Sequence, residues 1–182
     1  DLLPPSEHNK VGYFEDKSIV EFHDSVIGGN WAAPVLSRTY RHVDRYRKVL
    51  QPFMQHETWA IKDPRLCFCV PLLMNVVPDI KLITVYRDPV NAAKSLSKRE
   101  NIPVDLAFAI ATAYLSKMVE TTIGEDVLVI RYIDAITQPE WAAETVASFI
   151  GVDVTRAAKG AVDSRLAHWE RRDCADWVNL TT

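Results

Sequence analysis

The amino-acid sequence predicts an α/β fold with a mainly parallel sheet flanked by helices, and three observations carry the prediction. IKLITVY (80–86) and DVLVIRY (126–132) are near-continuous β-branched apolar runs of the kind parallel strands form, and TWAIK (58–62) is a shorter one. Stretches with helical spacing of apolar residues separate the three. Asp-Pro and Gly mark the borders. At 182 residues, 48% hydrophobic and 25% charged, the chain fits one domain, 1–182, large enough to bury a core.

The elements follow in order. SIVEFHDSVIG (18–28) puts Ile19, Val20, His23, Val26 and Ile27 on one helical face, and Gly28-Gly29 ends it. A second helix is predicted over 34–50, with Leu36, Tyr40, Val43, Arg47 and Leu50 along a stripe. TWAIK reads as a short buried strand stopped by Asp63-Pro64, and 66–76 is helical in pattern. IKLITVY is the clearest buried strand. Helices are predicted over 89–100 and 103–122, the second with Pro103 at its first position. DVLVIRY is the third strand. Thr137-Gln138-Pro139-Glu140 has the spacing of a capping box for a helix that runs to Ile150 and closes on Gly151.

Composition narrows the function. A net charge of −3 argues against a dedicated nucleic-acid binder, whose footprint is basic. Cys67, Cys69 and Cys174 lack CxxC spacing, and His23, His42, His56 and His168 form no ligand pattern, so no metal is expected. Cys67 and Cys69 read as reduced, semi-buried small hydrophobes. No apolar run reaches the roughly 20 residues of a membrane span, and no signal peptide is visible. These features point to a reducing, cytoplasmic compartment.

Polar residues gather where a parallel sheet binds ligands, beyond the carboxyl ends of its strands. Lys62-Asp63 follow the first strand, Arg87-Asp88 the second, and Arg131-Tyr132 stand at the third. In VYRDPVNAAKS (85–95) a guanidinium leaves a strand, offering a fixed fork to an oxyanion. The helix starting just after adds N–H groups and a favourable dipole, and Ser95, eight positions on, adds a hydroxyl. The alternative is that Arg87 pairs with Asp88 or another carboxylate while Ser95 only packs.

IKLITVYRDPVNAAKSLSKR resembles the segment of PAPS-dependent sulfotransferases that binds the 3′-phosphate of 3′-phosphoadenosine 5′-phosphosulfate (PAPS). NKVGYFED and WAIKDPRL are similar to segments of the family's bacterial branch. VLVIRYIDAITQPEWAAETVASFIGV resembles its strand, turn, helix and "F-L-G" ending. The resemblance covers about residues 9–152. It implies a P-loop NTPase-like three-layer fold and transfer of a sulfuryl group from PAPS to a hydroxyl or amine on a small-molecule, glycan or lipid acceptor. It also implies a first strand and phosphosulfate-binding loop that would precede Asp1. The chain is therefore expected to be N-terminally truncated and, alone, inactive or weakly active. The loss of a central strand predicts a homodimer or a marginal fold.

Residue by residue, the resemblance assigns Arg87 and Ser95 to the 3′-phosphate and Tyr132 to the adenine, where a strand-end tyrosine with a wet hydroxyl is the alternative. Ile133 stands where the family has Glu. Glu15 is the first candidate for the acceptor's base, against a helix N-terminal Glu favoured by the dipole. Asp63, where the cytosolic branch has its "K-T-H" histidine, is the second. Lys62 and Arg65 would supply positive charge near the sulfate or acceptor, or else form ion pairs. RTYRHVDRYRK (38–48) suits an acidic acceptor or a solvated helix face, and Arg171-Arg172 faintly resemble a basic loop that reaches the 3′-phosphate. Two other functions compete: a truncated or degenerate non-catalytic nucleotide-binding or interaction module of the same fold, and a kinase-like phosphotransferase. The second lacks the Gly-Lys-Ser/Thr loop it needs.

Overall fold

The structure, a computed structural model, describes residues 1–6, 12–34 and 42–154. In chain order these form helices α1 (Lys17–Val26), α2 (Val43–Leu50) and α3 (Leu66–Val76), strand β1 (Leu82–Tyr86), helices α4 (Pro89–Glu100) and α5 (Val104–Thr122), strand β2 (Val127–Arg131), and helices α6 (Tyr132–Thr137) and α7 (Pro139–Ile150). Two compact units result. One is Asp1–Ile80 with Thr112–Gly124, and the other Lys81–Ala111 with the residues from Glu125 on.

The first unit is helical because its apolar residues recur at helical spacing and meet in one core. Asp16 caps α1, its Oδ1 accepting from Ser18 N at 2.9 Å. Ile19, Phe22 and Val26 of α1 then pack with Tyr46 and Leu50 of α2 and with Phe68, Cys69, Leu72, Leu73 and Val76 of α3. Pro71 lies inside α3 and deprives the Cys67 carbonyl of its i+4 donor. The Thr121 hydroxyl of α5 stands 3.0 Å from it and shares its one proton between this carbonyl and that of Lys117 at 2.9 Å. Tyr114 of the same helix sets its ring edge-on to Phe68 at 4.9 Å and donates to the Trp31 carbonyl at 2.9 Å.

The second unit holds a parallel two-strand sheet in register Leu82↔Val127 to Tyr86↔Arg131, with α6 and α7 packed on β2. α4 follows β1 directly. Its N-cap is Asp88, whose Oδ1 accepts from Val90 N and Asn91 N at 3.1 and 3.0 Å. Asn101 closes it in the left-handed region (φ 53°). Gly151 closes α7 at φ 74°, a conformation that favours glycine. This small parallel sheet flanked by helices is the α/β arrangement that the sequence predicts.

Several expectations are corrected. Residues 58–62 form no strand, and among the described residues none pairs with them. Trp59 and Ile61 pack on the helical core, so the apolar character of this stretch serves that core and not a sheet. The two strands are not buried on both faces: Ile83, Val85 and Val129 are 41%, 56% and 56% exposed. Thr137 does not cap α7. It ends α6, its hydroxyl bonded to the Ile133 carbonyl at 2.8 Å, and Pro139 at the first position starts α7 after Gln138. The second helix begins at Val43, and residues 35–41, including Arg38 and Arg41, lie outside the described residues, as do Cys174, His168, Arg171 and Arg172. Pro103 precedes α5, its carbonyl accepting from Ala107 N at 3.0 Å. Among the described residues no helix is long and apolar enough to cross a membrane.

Candidate functional site

In the second unit the register decides the geometry. Tyr86 pairs with Arg131, so the next residue of each strand, Arg87 and Tyr132, emerge side by side at the carboxyl ends. The Arg87 guanidinium lies over the Tyr132 ring, its Cζ 4.5 Å from the centroid. Both side chains are half-buried. Asp88 does not pair with Arg87; its Oδ1 instead accepts from the α4 N–H groups. Among the described residues Arg87 has no carboxylate partner, and Ser95 makes no side-chain hydrogen bond. Ser95 lies seven residues beyond Asp88, about two turns along the same face of α4. No hydrogen bond links it to Arg87 among the described residues. The expectation of open N–H groups at this helix start is corrected: Val90 N and Asn91 N are held by Asp88. Arg131 is committed elsewhere, gripped by Asp134 at 2.6 and 2.7 Å.

In the first unit the sequence-predicted residues Glu15, Lys62, Asp63 and Arg65 come together. The N-terminal stretch runs antiparallel to 15–17, with Leu3 N donating to the Glu15 carbonyl at 2.8 Å. Just before Glu15, Phe14 is held at φ 55° and is 61% exposed. That left-handed geometry costs a bulky residue about 1–3 kcal/mol and marks a constrained place in the chain. Glu15 is buried. Lys62 Nζ donates to its Oε1 at 2.6 Å and to the Tyr13 carbonyl at 3.2 Å, and Arg65 Nη1 stands 3.6 Å from its Oε2.

Behind this pair is a polar chain the sequence reading missed. Asp63 closes its own turn, with Oδ1 accepting from Arg65 N at 2.9 Å and from Arg65 Nη1 at 2.7 Å. Its Oδ2 meets His23 Nδ1 at 2.8 Å, and His23 Nε2 meets the Tyr46 hydroxyl at 2.7 Å. Side chains of His23 and Asp63 are 0% exposed. Burial alone would raise the Asp63 carboxyl, but His23 and then Arg65 outweigh it and hold it below the usual carboxylate range. Burial likewise works against the Arg65 charge, and Asp63, then Asp24 and Glu15, more than restore it. The Arg65 Nε–Asp24 Oδ1 contact at 2.7 Å is an ion pair in which the N–H is not aimed along the contact. Burial, with Cys69 and Asp63 adding to it, pushes the Tyr46 phenol upward, so Tyr46 carries its proton. In a neutral His23 one tautomer satisfies both neighbours: Nδ1–H donates to Asp63 and Nε2 accepts from Tyr46.

The signal for this chain was present but spread out. His23 sits on the apolar stripe of α1, where a polar ring requires partners. Those partners are 40 and 23 positions away. Cys69 is buried and Cys67 half-buried, and burial first, with Asp63 beside them, pushes each thiol up to about 12. Among the described residues no group of His, Cys, Asp or Glu is arranged to hold a metal.

No curated protein and no solved structure matches the chain. The family model described as "Sulfotransferase family" matches residues 30–156, more than half of the chain. The match spans Lys62, Asp63, Arg65, Arg87, Ser95 and Tyr132, while Glu15 precedes it. With the strand-end arginine, the helix after it and the Lys-Asp-Pro-Arg turn in place, this match shows that the chain belongs to the sulfotransferase family.

Proposed function

We propose that the protein transfers a sulfuryl group from PAPS to a hydroxyl or amine acceptor, with Arg87, Ser95 and Tyr132 holding the nucleotide and Glu15 serving as base. Family membership supports sulfotransfer in general. One observation carries the finer reading: a half-buried guanidinium at the end of a parallel strand, stacked on Tyr132, with no carboxylate partner among the described residues. Such a group fits a phosphate. With Val90 N and Asn91 N already held by Asp88, the anion would be held by side chains, Arg87 first and Ser95 second. The Tyr132 ring offers a flat surface to a base, and Arg87 tightens it from one side.

PAPS supplies an activated sulfuryl group, and what remains is positioning, charge and a proton acceptor. The acceptor oxygen gives its proton to the Glu15 carboxylate as its bond to sulfur forms. The bond from sulfur to the bridging phosphate oxygen breaks, and the electron pair leaves with adenosine 3′,5′-bisphosphate. Lys62, 58% exposed at its side chain, has room to turn its ammonium away from Glu15 toward an anion, whereas Arg65 stays tied to Asp63 and Asp24. Asp63, enclosed and bonded at both oxygens, fits a positioning role better than that of a base.

The test is transfer of radiolabelled sulfuryl from PAPS to phenol, glucosamine and a long-chain alcohol. Weak transfer to at least one acceptor, lost in Glu15→Gln, is expected. A protein that binds adenosine 3′,5′-bisphosphate yet transfers nothing supports the non-catalytic nucleotide-binding module, and one that ignores the nucleotide refutes both.

A further inference from the structure

We infer that His23 is a positioning residue for the reaction, acting through Asp63 to fix the Lys62–Glu15 pair; the inference rests on the reading of Glu15 as base. Burying a carboxylate, an imidazole and a phenol together gains little stability over a well-packed apolar core, and it is tolerated only when every donor and acceptor is satisfied. Here Tyr46, His23 and Asp63 each have partners: the Tyr46 hydroxyl meets Nε2, Nδ1 meets Asp63 Oδ2, and two Arg65 N–H groups donate to Oδ1, while Arg65 Nε faces Asp24 only as an ion pair. The polar chain does not end in the core. Its outlet is Arg65, whose Nη1 reaches the Glu15 carboxylate at 3.6 Å.

The turn does the rest. Asp63 is the residue after Lys62, and its side chain is the part of the turn held inside the core. The Asp63 carbonyl also accepts from Leu66 N at 3.0 Å, so the carboxylate and the start of α3 are tied together. Fixing Oδ2 against His23 therefore fixes the backbone from which Lys62 reaches Glu15 Oε1 at 2.6 Å. His23 is locked in turn by the Tyr46 hydroxyl, with the Tyr46 ring set edge-on at 5.4 Å. A side chain without an N–H at position 23 leaves Asp63 Oδ2 unbonded and lets the turn shift. An asparagine retains an N–H near the place of Nδ1.

Two readouts on the full chain test this. The first is the acylation rate of Lys62 by acetic anhydride, read by mass spectrometry against Lys98 of α4. The second is kcat and KM for sulfuryl transfer from PAPS to the best of the three acceptors named above. His23→Leu is expected to raise Lys62 acylation several-fold and to lower kcat about tenfold with KM for PAPS unchanged, as misplacement of a reacting group does. His23→Asn is expected to restore most of both. Unchanged Lys62 acylation in a folded His23→Leu protein overturns the inference, and so does raised acylation with undiminished kcat. If His23→Leu does not fold, Asp63→Asn, of the same shape, puts the same question with the same deciding results. Full activity in Glu15→Gln beside raised Lys62 acylation in His23→Leu refutes the base while leaving the link from His23 to Lys62 standing.

Discussion

Asp63→Asn changes almost no volume and removes one buried charge, which makes it the sharpest test of the polar chain under α1. The carboxylate accepts three hydrogen bonds, from His23 and twice from Arg65. An asparagine accepts at one atom only and brings an N–H₂ group to the other. If it keeps Arg65, its N–H₂ faces His23 Nδ1–H; the ring must change tautomer, and Tyr46 then loses its acceptor. If it keeps His23, Arg65 loses both bonds. Breaking one partner of a buried charged pair costs about 3–5 kcal/mol. For a chain of this size each kcal/mol lowers Tm by about 2–4 °C, so a shift of about 6–20 °C is expected. Thermal unfolding followed by far-UV circular dichroism at pH 7 measures the shift, and urea unfolding carried from pH 7 into strong acid follows the free-energy gap. The Asp63 carboxyl is held below the usual carboxylate range in the folded protein, so its contribution is fully present above the unfolded value, about 3.9. It is lost as pH falls through the lower folded value. The gap between wild type and variant should be constant near neutrality and close only in strong acid. A variant within about 0.5 kcal/mol of wild type at pH 7, or a gap that widens on acidification, refutes the reasoning.

Three further outcomes follow from the same geometry. Thr121→Val leaves the Cys67 carbonyl without a donor and should cost about 1–3 kcal/mol, while the double change with Pro71→Ala, which restores the helical N–H, should recover most of it; denaturant titration reads both. With thiols pushed up to about 12, Cys67 and Cys69 should resist a thiol-specific disulfide reagent at pH 8 until urea unfolds the protein, and prompt native-state reaction at Cys69 would contradict its burial. Asp88→Ala should destabilise the fold by about 1 kcal/mol through the lost cap without abolishing nucleotide binding, since Asp88 occupies N–H groups and not Arg87.

Much of this fold is legible in the sequence where the signal is local. The stripe Ile19, Val20, His23, Val26 and Ile27 and the small-residue run after Asp88-Pro89 give α1 and α4, and the β-branched runs give β1 and β2. Arg87 and Tyr132 are legible as a candidate site because each follows a strand, and the parallel register then sets them together. What is not legible depends on distant partners. TWAIK has a strand's composition, but a strand needs a neighbour, and Trp59 and Ile61 find helices instead. The Asp88 cap is a local signal with a second meaning: the acid that looks available to neutralise Arg87 is the one that caps α4. The chain of Tyr46, His23 and Asp63 joins three segments whose order along the sequence says nothing of their meeting.

The most direct test of the central claim compares adenosine 3′,5′-bisphosphate with adenosine 5′-monophosphate by calorimetry on wild type and Arg87→Ala. A charge-assisted contact between Arg87 and the 3′-phosphate is worth about 1.5–3 kcal/mol, a preference of about 10- to 150-fold. Wild type should favour the bisphosphate by that factor, and Arg87→Ala should bind the two nucleotides almost alike. A preference that survives intact in Arg87→Ala would place the 3′-phosphate elsewhere and contradict the account.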